Sequence, residues 1–123
     1  MKTAAITLIS ILYLFNPNYV QTDKYSIIGE WKAPDMENST IKVYKATDGF
    51  IYGKIIASDE AEWIEEIILK KVKYDVESKS WRGKIYSLKR NMTIAAELTL
   101  ENSKKLKLVG TKFFMTKTFY WNK

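Results

Sequence analysis

Hydrophobic and polar residues alternate along most of the chain after residue 23, with the period of a half-buried β-strand. Residues 40–47 and 50–57 form the most regular pair of alternating stretches, and Asp48-Gly49 lies between them. An Asp-Gly pair at this position is typical of a tight β-hairpin. Gly53 interrupts the second stretch, where we expect a bulge or a close approach of another backbone. The pattern therefore predicts two neighbouring antiparallel strands.

The same alternation recurs on both sides of this pair. We predict further strands that begin near Gly29 and that cover residues 67–74, 79–88 and 92–100. Residues 58–67 differ, because acidic side chains dominate there. Asp59 followed by Glu62 resembles a capping box, and acidic residues in a first turn stabilise a helix N-terminus. One short helix is therefore expected between the third and fourth strands.

The last stretch, residues 105–121, has no obvious turn sequence. It contains either one long strand that bends at Gly110 or two strands that meet at the apolar residues Phe113, Phe114 and Met115. With two strands the chain has eight, evenly spaced and without a crossover helix, which is the pattern of an antiparallel meander. Closing a meander removes its edges, so the sequence predicts an all-β fold, an eight-stranded antiparallel up-and-down barrel. Eight strands leave room for packed side chains or for one small ligand.

The first 22 residues have a different character. A lysine at position 2 precedes an uncharged apolar run over residues 4–15, and an Asn-Pro-Asn break follows. This is the layout of a secretory signal peptide, and the run is shorter than a comfortable membrane span. We expect residues 1–22 to be a signal peptide and residues 23–123 to form a single barrel domain that is exported, periplasmic or extracellular. An uncleaved N-terminal anchor is the alternative.

Composition indicates how such a domain is stabilised. The chain contains no cysteine, which excludes disulfides, thiolate metal sites and lipoprotein acylation. A small domain without disulfides depends on its apolar core. A hydrophobic content of 46%, with 14% aromatic residues, suits a compact globule.

Charge is unevenly distributed along the chain. Residues 23–78 carry a net charge of −4, whereas residues 79–123 carry +9. A positive field favours anionic partners, although a basic face also serves solubility alone. The residues predicted to form an anionic-surface contact are Lys79, Arg82, Lys84, Lys89, Arg90, Lys104, Lys105 and Lys107. Because the chain is expected to be exported, lipid headgroups or other anionic envelope material are favoured over nucleic acid.

Catalytic chemistry is poorly supported by the composition. Without histidine or cysteine, imidazole bases, thiol nucleophiles and the metal sites built from them are excluded. We interpret the acidic residues between 59 and 66 as a solvated face, and they lack the spacing of a calcium loop. No glycine-rich phosphate loop is present. We therefore predict no catalytic residue, no metal, no cofactor and no enzyme activity.

Gly29-Glu30-Trp31 resembles the Gly-x-Trp signature of lipocalins and the wider calycin group, in which the tryptophan plugs one barrel end. The order of features along the predicted mature chain is similar to that of small secreted bacterial proteins known as domain of unknown function 2147. The shared motifs are GEW at 29–31, IKVYK at 41–45, YGKI at 52–55, IL at 68–69, W-x-G-x-IY at 81–86, LKLVG at 106–110 and KTxxWxK at 117–123. This resemblance implies a lipocalin-like barrel and no particular activity.

The chain departs from that family at two loops and one strand. SDEAEWIEE at 58–66 stands in place of a longer loop with Asn-Pro and Arg, and SLKRNMT at 87–93 in place of an Asp/Asn-Pro turn. Lys117 occupies a position where the family usually has arginine. Functions that depend on those loops do not transfer to this chain.

A barrel seam is predicted where the first and last strands pair. It comprises Gly29, Trp31, Lys117 and Trp121, with Trp31 as the plug. Alternation places Lys117 on the same face as Trp121, from where its ammonium group would contact the Trp31 ring in a cation–π interaction. A lysine that points into solvent is the alternative.

A ligand rim is predicted at Trp63, Phe113, Phe114 and Met115. Trp63 lies in the acidic segment and either packs on the barrel end or covers a cavity as a lid. If residues 113–115 form a turn, they make an apolar cluster at the rim, which is either a ligand gate or a contact surface.

Two functions agree with these patterns. The first is an exported, non-enzymatic barrel that binds a small apolar or amphipathic molecule. The alternative is a structural or interaction protein with a filled barrel, whose basic C-terminal half contacts an anionic envelope surface or a protein partner. The sequence names no ligand and does not fix the oligomeric state.

Overall fold

The structure is a computed structural model that describes Lys24 and residues 26–123. The predicted signal peptide lies outside the described residues. Eight antiparallel strands close into a barrel in chain order. They are β1 (Gly29–Ala33), β2 (Ser39–Lys45), β3 (Ile51–Ala57), β4 (Ile67–Asp75), β5 (Ser80–Ser87), β6 (Met92–Asn102), β7 (Lys105–Lys112) and β8 (Met115–Asn122). The predicted eight-stranded up-and-down barrel is confirmed.

The short helix expected between the third and fourth strands is a 3₁₀ turn, Ala61–Trp63. The predicted capping box is wrong, because no side chain caps this turn. The Asp59 carboxylate instead accepts a hydrogen bond of 2.7 Å from the amide of Asn38. Within the described part of the chain, no helix has the length and apolarity that a membrane crossing requires.

The last stretch of the chain forms two strands rather than one. β7 and β8 pair along their whole length, from Lys105 opposite Asn122 to Lys112 opposite Met115. Phe113 and Phe114 make the turn between them. The apolar cluster therefore lies at the tip of a hairpin, and residues Phe113, Phe114 and Met115 are called the hairpin tip below.

Gly53 marks a bulge, as its position in the sequence predicted. The pairing of β3 with β4 shifts register on both sides of Gly53. A Cβ atom at this position would lie 2.9 Å from the Cβ of Leu69, closer than two such atoms approach. Only glycine lets the two strands come together here, and this keeps the barrel wall closed between β3 and β4.

The two ends of the barrel are built differently. The turns after β1, β3, β5 and β7 lie at one end, called the open end below. The turns after β2, β4 and β6 lie at the other, called the closed end, together with the entry to β1 and the end of β8. At the closed end, the chain before β1 contributes Ile27 to the core, where the side chain has no exposed surface.

The barrel interior is packed. Alternating residues of every strand point inward, and many have no solvent-accessible surface: Trp31, Ile41, Ile55, Leu69, Leu98, Leu106 and Leu108. A water-sized void beside any of these side chains would give it accessible area. The middle of the barrel is therefore filled by side chains at the close packing typical of protein cores.

The barrel closes along a narrow seam. β1 pairs with β2 over all five of its residues, but with β8 it pairs only through Lys32 opposite Asn122. β1 ends at Ala33, whereas β8 extends back to Met115. Most of β8 therefore has a strand neighbour on one side only.

Candidate functional site

The open end of the barrel presents the largest exposed apolar side chains of the described residues. Phe113 is 86% exposed, Phe114 is 102% exposed and Met115 is 72% exposed. Large apolar side chains grouped at one point of a surface mark contact sites more often than single exposed ones. The predicted rim residues 113–115 are therefore brought together at the open end.

The conformation of the hairpin tip adds to its unusual character. Phe113 has a φ angle of 56°, in the left-handed region that bulky side chains rarely adopt. Glycine or asparagine would relieve the strain of such a turn. The Lys112 ammonium group lies 6.0 Å from the Phe113 ring centre and donates a hydrogen bond of 3.2 Å to the Thr93 carbonyl. The tip is thus held in place by β6 while its rings stay in water.

Trp63, the other predicted rim residue, lies across the open end in the 3₁₀ turn. It is partly buried and packs against the core, whereas the next residue, Ile64, is exposed. The turn is bonded back to β3, because the backbone N–H of Glu65 donates to the Ile55 carbonyl at 2.8 Å. The Glu65 carboxylate also lies 3.3 Å from the Lys54 ammonium group. Trp63 therefore packs on the barrel end, and one side of its ring still faces outward.

Beneath this rim the barrel is shallow. Partly buried apolar side chains pack onto the filled core from above: Met36, Trp63, Leu88, Ile94 and Phe119. The fully buried core begins directly under them. A ligand at the open end would therefore lie on this apolar floor, between Trp63 and the hairpin tip, and not in a deep chamber.

Charge is divided across the open end. The two loops after β1 and β3 carry the acidic residues Asp35, Glu37, Asp59, Glu60, Glu62, Glu65 and Glu66. The two turns after β5 and β7, with the residues next to them, carry the basic residues Lys89, Arg90, Lys112 and Lys117. The described residues include no cluster of three or more acidic side chains placed to hold a metal ion. One lip of the open end is thus mainly acidic and the other basic, and an ion pair of 3.2 Å between Glu37 and Lys89 joins the two.

The predicted seam residues lie at the closed end, with one correction. Trp31 is fully buried, and its indole N–H donates a hydrogen bond of 2.8 Å to the Ile27 carbonyl. The ammonium group over its ring belongs to Lys123, 4.7 Å from the ring centre. Lys117 is exposed and lies in the other half of β8, where it pairs with Gly110 of β7. The predicted Lys117 contact with Trp31 is therefore wrong, because β1 pairs with β8 only at Asn122, the last residue of β8.

Gly29 leaves the space that the Lys123 side chain occupies over the Trp31 ring. Its φ angle is +137°, and a Cβ atom there would lie 3.0 Å from the Lys123 ammonium nitrogen. A side chain at this position would displace the lysine from the Trp31 ring. Trp121, the remaining seam residue, is buried, and its indole N–H has no hydrogen-bond partner among the residues that the structure describes.

The predicted basic surface is not one patch. Arg82 and Lys84 share the outer face of β5, and Lys105 and Lys107 lie on β7. The other four residues lie in turns: Lys79 and Lys104 at the closed end, and Lys89 and Arg90 at the open end. Arg82 is also neutralised, because it pairs with Asp75 at 3.4 Å and with Glu97 at 2.8 Å. Position along the chain did not predict this division, since consecutive turns lie at opposite ends of the barrel.

Sequence reasoning missed the lysines that do join Lys84. Lys70 lies directly opposite Lys84, and Lys73 lies directly opposite Arg82. Within the described part of the chain, neither Lys70 nor Lys84 forms an ion pair. Like charges placed opposite each other destabilise a sheet. The available signal was the alternation itself, which puts Lys70 and Lys84 on outward positions of two successive strands.

A cluster of hydrogen-bonded polar groups lies at the closed end, in the exposed turn after β2. The Asp48 carboxylate accepts hydrogen bonds from the Tyr52 hydroxyl at 2.6 Å, the Phe50 backbone at 2.9 Å and the Lys71 ammonium at 3.1 Å. The Tyr52 bond is the largest cause that lowers the pKa of Asp48 to about 2. The same bond raises the pKa of Tyr52, and Asp48 raises the pKa of Lys71.

A cavity of about 410 Å³ lies on the outside of the barrel wall, near the seam. Its lining comprises Lys32, Pro34, Asn38, Ser39, Thr40 and Asn122. These residues belong to β1, the loop after it, the start of β2 and the end of β8. The cavity therefore lies outside the core, at the point where β1 pairs with β8.

Comparison with known proteins identifies one family. A family model with the description "Uncharacterized protein conserved in bacteria (DUF2147)" matches residues 29–123. No curated protein and no solved structure matches the chain. The matched range begins at Gly29 and includes all eight strands.

Proposed function

The chain belongs to the bacterial family DUF2147, and we propose that it is an exported, non-enzymatic binding module that holds a small apolar or amphipathic molecule at the open end of its barrel. Export rests on the signal-peptide pattern of residues 1–22. The observation that carries the binding role is the exposure of Phe113, Phe114 and Met115 beside an apolar floor.

The free-energy cost of leaving the hairpin tip exposed supports this proposal. Three large apolar side chains in water contribute nothing to the core, and burying each one is worth roughly 1.5–3 kcal/mol. Phe113 in addition adopts a backbone conformation that costs about 1–3 kcal/mol. A ligand that covers the hairpin tip and the outer side of Trp63 would recover part of that free energy. The acidic and basic lips would orient an amphipathic molecule whose head group carries charge.

Native mass spectrometry of protein released from the envelope of its own cells tests this role. We expect a co-purified small molecule on the natural protein. Replacing the hairpin tip by serine (Phe113→Ser, Phe114→Ser, Met115→Ser) should remove that molecule without unfolding the barrel. Val76→Ser, which changes an exposed apolar residue at the closed end, is the matched control and should keep it. A molecule that stays bound to the triple variant contradicts the proposed site.

A second candidate function is contact with an anionic envelope surface through the outer wall of β4 and β5. The specific observation is the pair of opposed basic residues Lys70 and Lys84, with Lys73 beside them. An anionic surface would relieve their repulsion, and such attraction weakens as salt screens it. Flotation with anionic vesicles should show salt-sensitive binding that Lys73→Glu with Lys84→Glu abolishes. The control pair Lys104→Glu with Lys107→Glu carries the same charge change elsewhere, and equal loss in both pairs contradicts a contact on this wall.

A further inference from the structure

β8 is an edge strand in a barrel that is otherwise closed. On one side it pairs with β7 along all eight of its residues. On the other side β1 reaches it only at Asn122. Among the described residues, no strand lies beside the six residues from Met115 to Tyr120 on that side, and all six except Phe119 are exposed.

The neighbouring loop does not replace the missing strand. The loop after β1 bonds within itself: the N–H of Met36 donates to Ala33 at 3.0 Å, Asn38 to Pro34 at 3.4 Å and Ser39 to Met36 at 3.1 Å. In an antiparallel strand, alternate residues direct their N–H and C=O groups to opposite sides. About half of the six residues of this edge therefore point a donor and an acceptor away from β7, where no strand of the described chain pairs with them.

The outer cavity continues this edge. It lies where β1 leaves β8, and its lining includes Lys32 and Asn122, the one pair that joins the two strands. A chain laid along β8 in place of the missing strand would run into this cavity as it approaches Asn122. Main-chain pairing would then supply affinity, and the cavity would accept a side chain.

The β7–β8 hairpin that provides this edge has charge of one sign, whereas the loop after β1 across the gap carries Asp35 and Glu37. After Glu101 the sequence contains no acidic residue, and the β7–β8 hairpin with its flanking residues carries Lys104, Lys105, Lys107, Lys112, Lys117 and Lys123. Lys117 lies in the middle of the unpaired edge and is exposed. Two copies of β8 that paired antiparallel about their centres would bring their Lys117 residues close together, which opposes self-association. A chain that carries carboxylates meets no such penalty.

We propose that the free edge of β8 binds an extended acidic segment of a partner protein, which adds a ninth strand to the sheet. Lys117 and the net positive charge of the β7–β8 hairpin select for acidic side chains, and the outer cavity holds one residue of the segment. This edge shares Met115, Lys117 and Phe119 with the open end, but its ligand pairs with backbone groups of β8, whereas the open-end ligand covers side chains. The two proposals are therefore tested by different readouts, backbone exchange for the edge and a co-purified molecule for the open end, so that either one stands if the other fails.

Hydrogen exchange of backbone amides, read residue by residue, tests the edge directly. The probe is a ten-residue peptide that alternates glutamate with valine, and the matched peptide has lysine in place of every glutamate. We expect the glutamate peptide to slow exchange at those amides of residues 115–120 that point away from β7, and to leave amides of β4 and β5 unchanged. Exchange that stays unchanged at saturating peptide, or that slows only at residues of the open end outside β8, overturns the proposal.

Charge variants separate an acidic partner from other occupants. Lys117→Glu should weaken the glutamate peptide about fivefold, because it turns one attraction into a repulsion of similar size. Lys42→Glu on the outer face of β2 is the matched control and should leave binding unchanged; melting curves check that both variants fold. Equal protection by the lysine peptide overturns the acidic selectivity. Protection of residues 115–120 that grows with protein concentration alone would assign the edge to a second copy and overturn the acidic partner.

Discussion

The two ends of this barrel use aromatic residues in opposite ways. At the closed end, Trp31 and Trp81 are buried, and each indole N–H donates a hydrogen bond of 2.8 Å to a carbonyl of the chain before β1, at Ile27 and Lys24. At the open end, Phe113 and Phe114 lie in water with no core to enter. An aromatic side chain stabilises this fold only where the backbone brings a partner for it.

This difference separates stability from binding. The closed end combines apolar burial, indole hydrogen bonds and a lysine over the Trp31 ring, which together stabilise one arrangement of the first and last strands. The open end leaves apolar rings and a strained turn in solvent. The closed end therefore accounts for folding, and the open end is the part of the barrel that is free to take a ligand.

The strongest way to break this comparison is to remove one ring from each end. Trp31→Ala should lower the free energy of unfolding by about 3–5 kcal/mol, because it leaves a large cavity in the core and the Ile27 carbonyl without its donor. Phe114→Ala should change it by less than about 0.5 kcal/mol, as is usual for exposed residues. Urea unfolding of the two variants measures both values. Similar losses in both would mean that the hairpin tip also belongs to the core.

Two glycines extend the comparison to the barrel wall. A Cβ at Gly83 would lie 2.8 Å from the Lys70 carbonyl oxygen and 2.6 Å from Val72, so Gly83→Ala should cost about 1–3 kcal/mol. A Cβ at Gly110 would meet only the far end of the Ile94 side chain, at 2.6 Å, and that partly exposed chain can rotate away. Gly110→Ala should therefore cost less than about 1 kcal/mol, helped by the lower entropy of its unfolded chain. Thermal melting ranks the two, and the reverse order would contradict the packing described for β4 and β5.

A pair of lysines on β8 and at its end makes a finer test. Lys123→Ala should lower stability by about 0.5–1 kcal/mol, since it removes the cation over the Trp31 ring. Lys117→Ala should leave the melting temperature unchanged, since Lys117 contacts solvent. Differential scanning calorimetry of both variants measures the difference. A larger loss for Lys117 would restore the contact that the sequence predicted.

The smallest expected effect concerns the turn at Asp48, also at the closed end. The pKa of Asp48 in the fold is about 2, below its ordinary value of 3.8, so its ionised form stabilises the native state. That contribution is fully present above about pH 3.8 and is lost as the pH falls toward 2. The melting temperature of Asp48→Asn should therefore lie below that of the natural protein at pH 6, and this gap between the two melting temperatures should close in acid. A gap that stays constant between pH 6 and pH 2 would show that the carboxylate charge is not the cause.

Alternation along the chain was sufficient to predict the strands and the barrel. Short turns and a strict two-residue period leave few arrangements for a chain without a crossover helix. Gly53 could be predicted as a bulge for the same reason. The turn at Phe113 could not be assigned uniquely, because neither phenylalanine is a turn-forming residue. Only the pairing of β7 with β8 decides between one strand and two.

The wrong predictions concern contacts that depend on where each strand begins and ends. Alternation correctly put Lys117 in phase with Trp121, but it did not show that β1 stops at Ala33, beyond the reach of Lys117. Net charge was counted along the chain, whereas the barrel sorts charge by wall and by end. Lys70 therefore joined Lys84 although the two lie in halves of opposite net charge. Contacts of this kind depend on register, which a single sequence does not determine.

A division of the barrel into an open end that binds and a closed end that holds the fold together can be measured directly. The four tryptophans of the chain provide a direct measurement, because each indole N–H gives its own signal in a ¹H–¹⁵N spectrum. During titration with an amphipathic probe such as dodecanoate, the account predicts that the Trp63 signal shifts and that the Trp31 and Trp81 signals stay in place. Shifts at Trp31 or Trp81 with Trp63 unchanged would contradict it.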